Sequence, residues 1–303
     1  MKEADVHVKS ILCRSSQPLL TVRQRRCVED EQYLGSLLSG SAEEWIRQEA
    51  DSPDASAMQG GVVVDARTKL NAQASRQRGG GYEPEAHYSR LKLYFTGIER
   101  LETIKATYSN LCELLRQSDA PSGPAVGLRA AYLSHLHAIL RVAVSTTKFL
   151  CQQENKVLIH CEDGLDMTSI LVSLTKCMHD PYYRSAEGFL DLIQEDWVEF
   201  GFPFFERANT SAPASITTTD TCGELLKGCF PTFAIFLDGV RHLMMQHADQ
   251  FSFNEEALLW LLRQQFRFAH GTCSVYSPTK FSTERPCRCA REQVGISQRF
   301  CPT

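Results

Sequence analysis

Apolar residues along this chain fall into two kinds of pattern, short compact runs and longer stretches with helical spacing. The run VVVDAR at 62–67 is β-branched and suits a strand buried on both faces. LKLYFTGI at 91–98 alternates as a strand does, VLIH at 157–160 forms another compact run, and Ile11 and Leu12 mark a short fourth candidate. Helical spacing covers CVEDEQYLGSLL at 27–38, residues 104–115, and residues 128–151, where Leu136, Ile139, Leu140, Val144, Phe149 and Leu150 share a face. A further helix follows residue 160, with Ile170, Leu171, Leu174, Cys177 and Met178 as its inner face. Residues 185–200 read as a helix burying Phe189, Ile193, Trp197 and Phe200, with Gly201 as its stop. Pro231 stands where a buried helix over 232–247 can begin, and 255–268 is the last periodic stretch.

Between these lie polar segments. Residues 39–61 read as a surface insertion, the Arg- and Gly-rich 76–90 as a loop, and 119–127 and 208–222 as loops. From about residue 271 the chain is polar and aperiodic, and disorder is expected there. Strands separated by helices predict an α/β fold, a central sheet flanked by helices, with ligands gathered beyond the carboxyl ends of the strands.

Composition narrows the classes. At 303 residues, 43% hydrophobic and 22% charged, the chain can bury a sizeable core. A net charge of −4 gives no global basic field, so nucleic acid is not an expected partner. No apolar run approaches the roughly 18–20 residues of a membrane span, and MKEADVHVKS lacks the apolar centre of a signal peptide. Twelve scattered cysteines then read as reduced thiols in a cytoplasmic protein. Cys287 and Cys289 lack zinc-ligand spacing, and His242 and His247 stand five apart on a helix. Neither metal nor cofactor is expected.

Residues 156–178, KVLIHCEDGLDMTSILVSLTKCM, carry the chemistry. A cysteine ends a buried strand, a short acidic loop follows, and a helix begins. A helix N-terminus lowers a thiol's pKa and offers N–H groups to phosphate. Cys161 could then attack phosphorus while the loop cradles the oxygens. Gly164 suits positive φ, Asp166 stands where a general acid is needed, and Thr168 and Ser169 can donate to a thiolate or steady the helix entry. Such chemistry needs an arginine six residues after the cysteine, and that position is Met167. The bland alternative is an inert cysteine with Asp163 and Asp166 as loop and cap residues.

The stretch HCEDGLDMTSILVSLTKCMHDPYYRSAEGFLDLIQEDWVEFGFPFFER resembles the catalytic region of the myotubularin family of phosphoinositide 3-phosphatases. Active members read HCSDGWDRT, then DPYYRT-x-x-GF, an acidic-W-x-x-FG segment and F-x-x-R. RSSQPLL, CVEDEQYL, VVVDARTKLNA, GGGYE, FTGIERL and PTFAIFLDGVRHLMMQHADQFSFNEEALL resemble family segments in the same order. The resemblance covers residues 11–273, after a lead-in at 1–10 and before a tail at 274–303 expected to be disordered. It implies a cysteine-dependent phosphatase-like domain, incomplete at its C-terminal end and without the family's usual N-terminal lipid-binding module.

Active relatives remove the 3-phosphate from phosphatidylinositol 3-phosphate and its 3,5-bisphosphate. By motif position, Cys161 matches the nucleophile, Asp166 the general acid, Asp163 a loop aspartate and Arg207 a head-group arginine. Gly164, Leu165, Met167, Ser75, Arg100 and Leu101 complete the expected substrate-binding set. The departures are Met167 for the phosphate-binding arginine, Glu162 for serine, Leu165 for tryptophan, Ser75 and Arg100 for asparagines, and Pro203 for a basic residue. An arginine fork makes two charge-assisted bonds to phosphate, whereas a thioether makes none. Removing one transition-state donor costs ~10²–10³ in rate, and losing a phosphate-clamping arginine ~10³–10⁵.

Three readings follow. The first is a catalytically lapsed member that pairs with an active myotubularin relative as adaptor or regulator. The second is a weak 3-phosphatase using Cys161, and the third a module binding a 3-phosphoinositide head group. Each implies a cytoplasmic protein, at most peripheral on endosomal membranes. Arg76 and Arg78 lie near head-group positions of the family, while Arg23, Arg25 and Arg26 read as a solvated face.

Overall fold

A computed structural model describes residues 10–20, 26–39, 61–88, 91–117, 123–151, 156–207 and 230–270. They fall into two units, one of Met1–Glu99 with Arg141–Val172, the other of Arg100–Leu140 with Ser173–Thr303.

The first unit is built on β1 (Ile11–Ser15), β2 (Val62–Asp65), β3 (Lys92–Phe95) and β4 (Lys156–His160), in the order β1-β4-β2-β3. Every pairing is parallel. Parallel sheets need both faces covered, which is why β2 and β4 are nearly continuous apolar runs. Val63, Val157, Leu158 and Ile159 are buried. Leu34 and Leu38 of α1 (Val28–Ser39) pack with Val63, Tyr88, Leu91 and Leu158. Because the strands run one way, their carboxyl ends share an edge, with Ser15 and Asp65 flanking His160. Helix α2 (Lys69–Arg76) follows β2, its first turn capped by Thr68, whose hydroxyl accepts from the Asn71 N–H.

Helices α3 (Leu101–Gln117), α4 (Gly123–Leu150) and α5 (Asp166–His179) follow in chain order. The start of α4 lies inside the predicted 119–127 loop: Pro124 falls in the first turn, where a missing N–H costs nothing. Its buried residues are Tyr132, Leu136, Ile139, Ala143, Thr146 and Leu150, a stripe spaced alternately by four and three. Val144, expected on that face, is 37% exposed, because the stripe passes through Ala143 instead.

In the second unit, a 3-10 turn (Pro181–Arg184) leads to α6 (Ala186–Ile193), then a π-helical turn (Gln194–Glu199). Ser185 caps α6, accepting from the Gly188 N–H at 3.0 Å. The π-helical turn places an extra residue in the helical path, so the phase shifts. Trp197 stays buried, but Phe200, predicted inward, is 44% exposed and Phe202 fills the core instead. Gly201 ends the segment at φ 82, as its stop role requires. Short α7 (Phe204–Arg207), then α8 (Thr232–Gln246), a 3-10 turn (Ala248–Gln250) and α9 (Glu255–His270), complete the described helices. The core here is aromatic: the Trp197 ring meets Phe202 at 4.8 Å, Phe233 at 4.9 Å and Phe236 at 5.1 Å. Its indole N–H donates to Ser173 Oγ at 3.0 Å.

Residues 40–60, the 208–222 loop, the stretch from 271 onward, Arg23, Arg25, Cys287 and Cys289 lie outside the described residues. Arg26 pairs with Glu31.

Candidate active site

Cys161 follows β4 directly and five residues separate it from Met167, in the first turn of α5. The loop curls around the sulfur. Gly164 N–H donates to Cys161 Sγ at 3.2 Å, and the thiol donates to Asp163 Oδ1 at 3.5 Å. The same carboxylate oxygen accepts from Leu165 N–H at 3.0 Å. Gly164 has φ 77, and a Cβ there would stand 2.4 Å from the Ser15 carbonyl oxygen. Only glycine fits. The loop's far side is tied to β1: Arg14 Nη2 donates to Gly164 O at 2.8 Å and to Ser169 Oγ at 2.6 Å, and Gln17 N–H donates to Glu162 O at 3.3 Å.

Burial pushes the Cys161 thiol pKa up, and the Asp163 charge adds to that. Working the other way are Thr168, through hydroxyl and backbone, and the Gly164 N–H. The Thr168 hydroxyl is buried and stands near the sulfur without meeting hydrogen-bond geometry. The thiol therefore titrates above its ordinary range. Helix-terminus activation, which the sequence offered, is outweighed here.

Residues beneath the loop were not singled out by sequence reasoning, although their segments were. His160 is buried with Nε2 3.1 Å from Glu83 Oε2 and Nδ1 3.1 Å from Cys161 O. Both ring nitrogens face acceptors, so the imidazolium form satisfies both. Burial alone lowers the His160 pKa, but Glu83, with Asp65 behind it, outweighs that and raises it. Beside it, the buried Arg67 uses a full set of donors. Nε and Nη2 bind the two Asp65 oxygens at 2.8 and 2.6 Å, Nη1 reaches Gln17 Oε1 at 2.6 Å and Ser75 Oγ at 3.3 Å, and Nη2 also reaches Gly81 O at 2.8 Å. One guanidinium thus joins β1's exit, β2's end, α2 and the Gly-rich loop. At Gly80 a Cβ would lie 2.5 Å from Gln17 Oε1, which explains the bare backbone there. The signal was visible only as polar residues (Gln17, Asp65, Arg67, Glu83) just past or between apolar runs.

Ser75, only 1% exposed, donates to Asn71 O at 3.3 Å and lies within reach of Arg67 and Arg78. Arg78 Nη2 donates to Glu162 Oε1 at 2.8 Å. Arg76 lies over the Tyr82 ring at 4.1 Å. Asp166 and Met167 are buried in the first turn of α5, Met167 at 6% exposure, and Leu165 is half-buried. The first unit thus brings together Ser75, Cys161, Glu162, Asp163, Gly164, Leu165, Asp166 and Met167, with Arg78 at the loop's edge. Arg100, Leu101 and Arg207 belong to the second unit. Arg100 is exposed, its carbonyl accepting from the Thr103 and Ile104 N–H groups in the first turn of α3, and Leu101 begins that helix. Arg207 ends α7 with its guanidinium 5.2 Å from the Phe230 ring, which Lys105 approaches at 3.8 Å. Among the described residues no group of three or more His, Cys, Asp or Glu side chains could hold a metal.

Chemically the first unit offers a thiol, N–H donors and a buried carboxyl. The position that should carry the phosphate fork carries an apolar thioether.

Comparison with known proteins identifies the family of this chain. Residues 5–277 match the Myotubularin-like phosphatase domain. The chain is 35% identical over 259 residues to mouse phosphatidylinositol-3,5-bisphosphate 3-phosphatase MTMR6, covering 83% of this chain and 37% of that protein. It is 34% identical over 271 residues to chicken phosphatidylinositol-3,5-bisphosphate 3-phosphatase MTMR8, covering 86% and 38%. Human phosphatidylinositol-3-phosphate phosphatase MTMR7 is 34% identical over 252 residues, covering 82% and 34%. The matched region therefore spans well under half the length of these relatives.

Proposed function

The chain belongs to the myotubularin-like phosphatase family, and from that premise we propose that it is a phosphoinositide-directed member whose catalysis has lapsed. It acts as an adaptor or regulator beside an active relative. Its ligand class is the 3-phosphoinositide head group, and its place is the cytoplasm, peripherally on endosomal membranes. No helix among the described residues is long and apolar enough to cross a membrane.

The observation that carries this reading is Met167, buried in the first turn of α5 where phosphate needs a cation. A thioether supplies neither charge nor donor. Cys161 adds to the loss, since burial and Asp163 disfavour the thiolate that must attack. A missing arginine clamp at ~10³–10⁵ and a scarce nucleophile compound one another. The test is phosphate release from phosphatidylinositol 3-phosphate and the 3,5-bisphosphate by the purified chain. The rate should equal that of Cys161→Ser, and a clear Cys161-dependent rate would overturn the proposal.

A second reading has its own support. Cys161, Asp166 and Thr168 are all retained, and Gly164 still donates to the sulfur. A slow 3-phosphatase would use that set, and the same assay detects it. Tight, salt-resistant liposome binding to one phosphoinositide, without turnover and unchanged by Arg207→Ala, would favour a lipid-binding module instead.

A further inference from the structure

Arg78 comes from the loop after α2 and Glu162 stands next to Cys161, 84 residues further along the chain. Their side chains meet at 2.8 Å, although both face solvent, at 61% and 53% exposure. Arg78 also reaches Ser75 Oγ at 3.4 Å, so its guanidinium is held at the rim of the Cys161 loop. A carboxylate presents to a guanidinium the same planar pair of acceptors that a phosphate does.

From this we infer that Glu162 is an internal stand-in for phosphate, and that Arg78 is an anion-binding residue of the loop kept occupied by it. The inference rests on the reading of this loop as a lapsed phosphate site and names what suppresses its residual affinity. The partner chemistry is a phosphate monoester or inorganic phosphate.

The device works at the surface for a reason of magnitude. An exposed ion pair is weak in itself. Here, however, the carboxylate is tethered, so its effective concentration at Arg78 is of millimolar order or higher. An incoming anion must displace Glu162 and then sit beside its charge. Removing the carboxylate relieves both penalties and frees a charge-assisted donor, together worth roughly a tenfold gain in affinity. Simple repulsion by Glu162 predicts a gain too, but one that does not need Arg78.

The experiment is a double-mutant cycle on the full chain in a Cys161→Ser background, so that no turnover enters. Glu162→Ser, Arg78→Ala and the pair are compared with the parent. Binding is measured by calorimetry and by ligand-induced shift in Tm, with inorganic phosphate, inositol 1,3-bisphosphate and vesicles containing phosphatidylinositol 3-phosphate as three probes. Glu162→Ser should raise affinity about tenfold, and with Arg78→Ala already in place it should gain only the smaller part due to relieved repulsion. A gain undiminished by Arg78→Ala would overturn the stand-in role and leave plain repulsion. Absence of any gain with all three probes would overturn it as well. Stronger gain with the inositol probes than with phosphate identifies a head group as ligand, and equal gain identifies phosphate alone; both support the stand-in. Melting without ligand checks folding, and neither exposed side chain is a core element. Turnover by the wild type would overturn the lapsed-enzyme proposal while leaving the outcome of this cycle standing.

Discussion

The Cys161 thiol donates to the Asp163 carboxylate across 3.5 Å, so the residue meant to be a nucleophile is paired with an anion two positions away. A thiolate there would face that charge directly. Glu162, the other neighbouring acid, instead turns to Arg78. Asp163 is therefore the neighbour that sets the thiol's behaviour, after burial.

The first prediction concerns that thiol. Its pKa lies above the ordinary range, so alkylation by iodoacetamide should be slow at neutral pH and rise only in alkaline buffer. Asp163→Asn should move the pH profile downward. A reactive population near ~pH 6, well below an ordinary thiol's ~8.5, would contradict the geometry.

Restoring the arginine alone should not restore the enzyme. Met167→Arg is expected to raise phosphate release by less than ~10-fold over Cys161→Ser, small beside the ~10²–10³ of a single transition-state donor. Glu162 still holds Arg78, and Cys161 remains largely protonated. Adding Glu162→Ser and Leu165→Trp should raise the rate further. Full activity from the single change, read with phosphatidylinositol 3-phosphate, would show that Met167 is the whole defect.

His160 and Glu83 give a pH-dependent stability with a definite sign. The folded His160 pKa is raised, so its stabilising contribution is complete below the unfolded value of ~6.5 and is lost as pH rises through the folded value. Urea midpoints of wild type and Glu83→Gln should differ most in mildly acidic buffer and converge in alkaline buffer. A difference that grows with pH would mean that the ring is neutral.

Arg67 should be costly to remove. Arg67→Ala leaves Asp65 as a buried charge with its main partner gone, a loss of about 3–5 kcal/mol in denaturant unfolding. Asp65→Asn in the same chain should return part of it, because the stranded charge disappears. Strict additivity of the two changes would contradict a direct pair.

Gly164→Ala should destabilise by at least ~1–2 kcal/mol from the left-handed backbone alone, with more from the clash at the Ser15 carbonyl. Relief of that clash must move the loop away from β1. Urea unfolding checks the first effect, and faster Cys161 alkylation the second. An unchanged midpoint would show that the loop relaxes freely.

Much was legible in the chain itself. The β-branched run at 62–65 and the apolar run at 157–160 became adjacent parallel strands. The helix after Cys161 and the stop at Gly201 stand where spacing and glycine put them. These are local properties, set by side-chain period and backbone sterics. So is the replacement at Met167, since its place relative to Cys161 is a matter of counting. Tertiary structure decided what local period cannot carry. A π-helical turn turned Phe200 outward and let Phe202 fill the core, because one extra residue rotates everything after it. Ser75, expected at the head group, is buried within reach of both Arg67 and Arg78. Arg78 with Glu162, and Arg67 with Gln17, join segments 84 and 50 residues apart. Such pairs form only because a parallel sheet delivers all its carboxyl ends to one edge, where polar groups distant in sequence meet: Arg67 and Gln17 as buried groups that need partners, Arg78 and Glu162 at the exposed rim.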